Sequence, residues 1–171
     1  MRFYEVLNIQ REIGKLSAEE FAELRPNPAI VIEPYPKPDT LLRDTTTRVK
    51  MQIPAPPPLL HKKAQIVWIL PLAPGRWPDV KLGRDSQCDI VFPNPSVSKR
   101  HATLSFLDGM WTVEDHGSLN GTEIMGERIL RSMPRPLPEA EPLALAQVVV
   151  LRAYYAPASL HAMLRAATIG A

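Results

Sequence analysis

A single cysteine, Cys88, stands in 171 residues, so the chain has neither an intramolecular disulfide nor a cysteine-rich metal site. His61, His101, His116 and His161 are dispersed without ligand spacing, and no metal or other cofactor is expected. Long apolar runs are missing as well. Ile66 to Leu72 falls far short of the ~18 residues that a membrane span needs, and Leu143 to Leu160 is interrupted by Gln147, Arg152 and Pro157. The leading Met1 to Glu5 has no signal-type apolar region ahead of Arg11 and Glu12. Charge of one sign is scarce: 20 Lys and Arg face 18 Asp and Glu, a net +2. That is not the concentrated basic field of a nucleic-acid or membrane binder. The expectation is a soluble, cytoplasmic protein with no nucleic-acid partner and no membrane insertion.

Proline, in contrast, is abundant: 19 residues, roughly twice the usual share of ~5%. The hydrophobic content of 45% is that of a chain that buries a core. One domain is expected, two only if each lies near the lower size limit. Nine of the prolines fall between Pro26 and Pro58. Each fixes φ and lacks a donor, which disfavours helix and central strand. Residues 26–64 therefore read as an extended, partly polyproline-II arm. Before it, residues 1–25 read as a short helical segment. Ser17-Ala18-Glu19-Glu20 has capping-box form for a helix through Leu24, and Phe3, Val6, Leu7, Ile13 and Leu16 allow a further helical stretch upstream.

From Gln65 the texture becomes that of strands. Gln65 to Leu70 is β-branched and aromatic, and short candidate strands follow at 80–82, 89–92, 102–106, 111–115, 122–125 and 146–155. Turn residues such as Gly83, Asp85-Ser86, Asp108-Gly109 and Asn120-Gly121 separate them. Trp111, Val113 and Asp115 alternate with Thr112 and Glu114, as in a half-buried strand. Even spacing of short strands predicts an all-β sandwich or barrel over residues 65–156. Trp68 and Trp111 read as its core, while Trp77 lies in a turn. Arg131 to Pro142, with four prolines, reads as a long loop. Residues 157–171 read as a short C-terminal helix, with Leu160, Met163 and Leu164 at helical spacing.

Three clusters fall on the loops between these strands: Gly83-Arg84, Ser98-Lys99-Arg100-His101 and Gly117 to Thr122. They combine cations, hydroxyls and one carboxamide with few acids, an inventory suited to a phosphate carried on a peptide. Arginine gives paired, charge-assisted bonds to phosphate, and Asn120 can pair with a peptide N–H and C=O. The order Gly83-Arg84, then Ser98-x-x-His101, then Ser118-x-Asn120-Gly121-Thr122 resembles the forkhead-associated (FHA) domain family over residues 65–155. The resemblance implies an FHA-type β-sandwich of about eleven short strands that binds phosphothreonine through its apical loops. Arg84 and Ser98 would then hold the phosphate, Lys99 would assist, and Asn120 would hold the peptide backbone. Gly83, His101 and Gly121 would be architectural, tight turns for the glycines and a loop-bracing bond for the imidazole, with Arg100, Ser118 and Thr122 in support. Leu119 departs from the Thr or Ser that many members place there, which lowers the expected affinity.

The partner implied is a phosphothreonine-containing protein, a Ser/Thr kinase or its substrate. FHA modules on short arms are frequent in bacterial kinase pathways and secretion systems. Three or four bonds to charged groups, at about 1.5–3 kcal/mol each less ordering costs, predict a Kd near ~1 μM. Asp44 is followed by Thr45, Thr46 and Thr47, candidate phosphosites whose modification would let the arm fill the Arg84 site of its own or a neighbouring chain. The plainer reading, a polar Thr run in a linker, is preferred over it. An alternative is a phospho-independent scaffold or assembly subunit using the sandwich and the Pro54 to Pro58 run. Catalysis is not expected: Ser98, His101 and Asp115 supply triad types, but no elbow or oxyanion glycines surround the serine. Cys88 reads as a half-buried core residue.

Overall fold

Ala29-Ile30-Val31-Ile32, assigned to an extended arm because of the prolines around it, is instead a central strand. In a computed structural model of the chain, which describes residues 2–5, 9, 13, 15–34, 59–61, 64–166 and 168–170, two sheets face each other. The first has the order β1 (Arg2–Glu5), β4 (Gln65–Trp68), β2 (Ala29–Pro34), β13 (Val149–Tyr154), β12 (Pro142–Leu145), β9 (Thr122–Ile124) and β10 (Glu127–Arg128), all antiparallel. The second has the order β11 (Arg135–Leu137), β8 (Met110–Asp115), β7 (Ala102–Leu107), β5 (Val80–Gly83) and β6 (Ile90–Val91), with β5 and β6 parallel. A small parallel pair joins β3 (Leu59–His61) to β14 (Thr168–Gly170). The all-β sandwich expected from the strand spacing is present.

Residues 26–64 thus contain two strands rather than arm alone. The reason lies in where the prolines fall. Pro26 and Pro28 precede β2 and Pro34 ends it, so the five residues between Pro28 and Pro34 keep every donor of the ladder. The phosphosite candidates Thr45, Thr46 and Thr47 and the Pro54 to Pro58 run lie outside the described residues. Upstream, Phe3 belongs to β1 rather than to a helix, although Ile9 and Ile13 are helical. The loop expected over 131–142 also holds a strand, β11, an edge position where Pro136 needs no partner for its missing donor. The strand expected over 146–155 starts later: Ala146 and Gln147, both at positive φ, turn the chain from β12 into β13.

Both faces of the first sheet are covered, which explains its near-continuous apolar strands. Ile30 and Ile32 of β2 point between the sheets, where they join Val67, Leu82, Leu104, Trp111, Val113, Leu143 and Leu151. Trp77 and Phe106 pack edge-on at 5.4 Å against this core. Ala29 and Val31 point the other way, into a second core with Ile66, Trp68, Tyr154 and Phe21. Trp68 is therefore buried beneath the helical layer, not inside the sandwich, because it alternates with the inward-facing Val67. Arg25 lies over its ring at 5.3 Å.

Two helices form that layer. Helix α1 (Ala18–Leu24) starts at the expected capping box: Ser17 Oγ accepts the Glu20 N–H at 3.2 Å, and Glu20 accepts the Ser17 N–H at 2.7 Å. Helix α2 (Pro157–Ala166) buries Leu160, His161 and Leu164. The Phe21 and His161 rings meet at 5.3 Å. A buried pair, Arg152 with Glu33 at 3.4 Å, ties β13 to β2, and Arg152 also donates to the Ala140 carbonyl at 2.9 Å.

Candidate binding site at the loop end of the sandwich

The loops after β5, before β7 and after β8 meet at one end of the second sheet, laced by backbone bonds. The Arg84 N–H donates to the Ser98 carbonyl at 2.9 Å, the Asp85 N–H to Lys99 at 3.0 Å and the His101 N–H to Leu82 at 2.9 Å. Gly83 sits where the two loops touch. A Cβ there would lie 2.2 Å from the Lys99 oxygen and 2.9 Å from Cys88 Sγ. Its glycine thus serves close approach rather than the tight turn that the resemblance suggested; the positive φ of +86° belongs to Gly121. Gly83→Ala is expected to force the Lys99 backbone away from Arg84, costing about 1–3 kcal/mol. Urea unfolding of the variant, beside its phosphopeptide affinity, measures both consequences; wild-type stability would refute the close-approach account.

Arg84, Ser98, Lys99 and Asn120 are brought together. The Arg84 side chain is exposed, but its Nε donates to the Val97 carbonyl at 3.1 Å, which fixes the guanidinium beside Ser98 and leaves its outer edge open. Ser98 Oγ accepts the Leu119 N–H at 3.0 Å, so its own hydrogen remains to be donated. Asn120 Nδ2 donates to the Ser96 carbonyl at 2.8 Å, and that bond holds the carboxamide at the loop tip. Lys99 is exposed next to them. Among the described residues, no carboxylate lies within salt-bridge distance of Arg84. Arg100 departs from the group, since it lines a polar flank groove of about 510 Å³ with Lys81, Cys88 and His116.

Beneath the tips, two buried groups hold the loops. His101 Nδ1 accepts the Ser98 N–H at 3.1 Å, which makes Nε2 the donor to the Gly121 carbonyl, also 3.1 Å away. Asp115 is the other. Its Oδ1 accepts the N–H groups of Gly117 and Ser118, and its Oδ2 accepts the hydroxyls of Ser118 at 2.5 Å and Thr122 at 2.6 Å. Ser118 Oγ in turn accepts the Gly121 N–H at 3.0 Å. Beyond its place in the alternating strand, Asp115-x-x-Ser118 has the form of a carboxylate that binds backbone two and three residues on. His101 bonds the Ser98 backbone, not its hydroxyl, and Asp115 bonds Ser118 and Thr122, so no catalytic relay links the three.

These bonds set the titration. Burial holds the His101 pKa below its ordinary 6.5, against smaller opposing effects of the Gly121 bond and Asp115. For Asp115, burial pushes the pKa up, but the bonds from Ser118, Thr122 and Gly117 together prevail and hold it below 3.8. Burial likewise raises the Cys88 thiol, with Asp85 adding to it, so the thiolate is disfavoured. For His101 the unfolded chain binds its proton at higher pH than the folded one. Stability is therefore expected to fall as pH drops below about 6.5, and to fall again below about 3.8 as Asp115 is protonated. Thermal melts across pH 8 to 3 measure this, and a melting temperature constant between pH 7.5 and 5 would contradict the first step.

The fold and these loops form a β-sandwich whose loop end carries an open cationic and hydroxyl-bearing face. Residues 80–146 match the model of the FHA domain family. The ABC transporter ATP-binding/permease protein Rv1747 of Mycobacterium tuberculosis is 39% identical over 51 residues, 30% of this chain and 6% of that much longer protein. The MEK1 FHA domain, solved in complex with a HOP1 phosphothreonine peptide, is 28% identical with a TM-score of 0.43, over 53% of this chain and 87% of that one. The FHA domain of the CT664 protein from Chlamydia trachomatis is 18% identical with a TM-score of 0.49, over 74% of this chain and 96% of that one. Among the described residues, no helix is long and apolar enough to cross a membrane.

Proposed function

We propose that the chain is a phosphothreonine-dependent protein-binding module, an adaptor whose partner is a protein phosphorylated on threonine by a Ser/Thr kinase. FHA domains are binding modules, and the reading assigns this chain recognition rather than catalysis. Arg84 and Ser98 hold the phosphate, Lys99 adds a second cation through its ammonium, and Asn120 pairs with the peptide backbone. Gly83, His101, Ser118, Gly121 and Thr122 keep the loops in register beneath them. The observation that carries this reading is the Arg84 guanidinium, pinned to the Val97 carbonyl through Nε with its remaining N–H groups open beside the Ser98 hydroxyl. A fork fixed in this way loses little freedom on meeting a phosphate. An oriented phosphothreonine-peptide screen, with phosphatase-treated peptides and an Arg84→Ala chain as controls, tests it. Retained signal in either control would remove the reading.

A further inference from the structure

The end of the sandwich away from the phosphate-facing loops is apolar. Strand β7 leaves those loops at Ala102 and reaches the far end at Leu107, which pairs across the β7–β8 turn with Met110. Both side chains are exposed, Leu107 at 67%. The connection from β4 to β5 lies beside them and exposes Leu70 and, at 63%, Leu72. The two segments are joined: the Ser105 hydroxyl donates to Asp79 at 2.7 Å, and the half-buried Trp77 packs on Phe106. Single exposed apolar side chains are ordinary on a protein surface. Four on two joined segments form a patch, and patches of this kind mark contact surfaces.

Both turns hold their shape without a partner. The Leu72 N–H donates to the Arg76 carbonyl at 2.8 Å and the Arg76 N–H to Ala73 at 2.9 Å, with Gly75 between them at φ of +71°. Asp108 and Gly109, at +52° and +79°, make the tight turn from β7 to β8. Two exposed charges stand on these turns, Arg76 and Asp108. Among the described residues, neither has an ion-pair partner.

We propose that this end is the contact surface for a second copy of the chain, paired about a two-fold axis between the two turns. The charges select this occupant. In such a pair Arg76 of each copy can meet Asp108 of the other, so one patch supplies both the cation and the matching acid. An anionic membrane gains no attraction from a patch whose free charges cancel. Because the turns are already fixed, pairing there orders little backbone. It also leaves the two sets of phosphate-facing loops pointing away from each other. Strand β7 spans six residues, so at ~3.3 Å per residue the two sites stand roughly 40 Å apart. The pair is then a bivalent reader, suited to a partner that carries two phosphothreonines. Bivalent reading rests on the phosphothreonine function above; the pairing itself does not.

Sedimentation equilibrium of the full chain, taken to about 100 μM, is expected to reveal a dimer. Leu72→Glu combined with Leu107→Glu should weaken it at least about tenfold. Arg76→Asp alone and Asp108→Lys alone should each weaken it too. An equal mixture of those two variants should pair again, because both contacts then join opposite charges. Asp108 lies at positive φ, so circular dichroism of each variant reads any folding cost separately. A peptide with one phosphothreonine should bind wild type and the double-glutamate variant within about twofold of each other, whereas one with two, on a flexible linker spanning roughly 40 Å, should favour wild type about a hundredfold. A wild-type chain that stays monomeric, or a dimer that the glutamates leave unchanged, would overturn the interface. So would a mixture of the charge variants that associates no better than either alone. Equal affinity of a wild-type dimer for both peptides would overturn the bivalent arrangement. A dimer that binds neither peptide would support the pairing and remove the phosphothreonine reading.

Discussion

Arg84→Ala is expected to abolish binding of a phosphothreonine peptide while leaving the fold intact. The guanidinium can give a phosphate two charge-assisted bonds, each worth about 1.5–3 kcal/mol. Losing both removes about 3–6 kcal/mol, which moves a Kd near ~1 μM to about 0.1–20 mM. Stability should change little, since the side chain is exposed and its one recorded bond is from Nε to Val97. Arg84→Lys separates charge from geometry. It keeps the cation but loses the planar fork and the Nε anchor, so it should recover only part of the affinity. Calorimetry on the three proteins decides the matter, and undiminished binding by the alanine variant would end the phosphothreonine reading.

A fragment spanning residues 65–156, the limits read from the strand pattern, is expected not to fold. It would lack β2, which lies between β4 and β13, with Ile30 opposite Val67 on one side and Ala153 on the other. Removing Phe21, Ile30, Val31 and Ile32, all buried in the full chain, withdraws about 6–12 kcal/mol at about 1.5–3 kcal/mol per side chain. That is comparable with the whole stability of a domain, about 5–15 kcal/mol. The fragment would also leave Glu33 missing beneath the buried Arg152 guanidinium. Circular dichroism and a urea titration of the fragment beside the full chain measure this. A cooperative transition in the fragment would show that β2 is dispensable.

The binding loops were legible in the sequence because their chemistry depends on local order. Gly83-Arg84, Ser98 to His101 and Ser118 to Thr122 each lie on one short turn, and composition at a turn reads directly. The helix from Ser17 was legible for the same reason, since its capping box is closed within four residues. What stayed hidden was set by distant partners. Ala29 to Ile32 is too short a run to announce itself between Pro28 and Pro34, and only pairing with β4 and β13 makes it central. Trp68 carries no mark of which face of the sheet it occupies. Gly83 looked like a turn residue, because its need for glycine comes from the Lys99 oxygen sixteen residues away. The work of Asp115 became visible only once Gly117, Ser118 and Thr122 folded around it.

The placement of β2 also sets a timetable for synthesis. Its outer edge can be satisfied early, because Val67 follows Ile30 by only 67 − 30 = 37 residues. Its other edge must wait for Ala153, 153 − 30 = 123 residues after Ile30. At about 5–20 residues per second of translation, an apolar strand edge stands open on the nascent chain for about 6–25 s. The sheet can close only when β13 has been made, and closure over so long a separation is itself slow. During that interval the protein is a template for pairing with other chains, so its yield should depend on crowding at the ribosome more than its final stability would indicate.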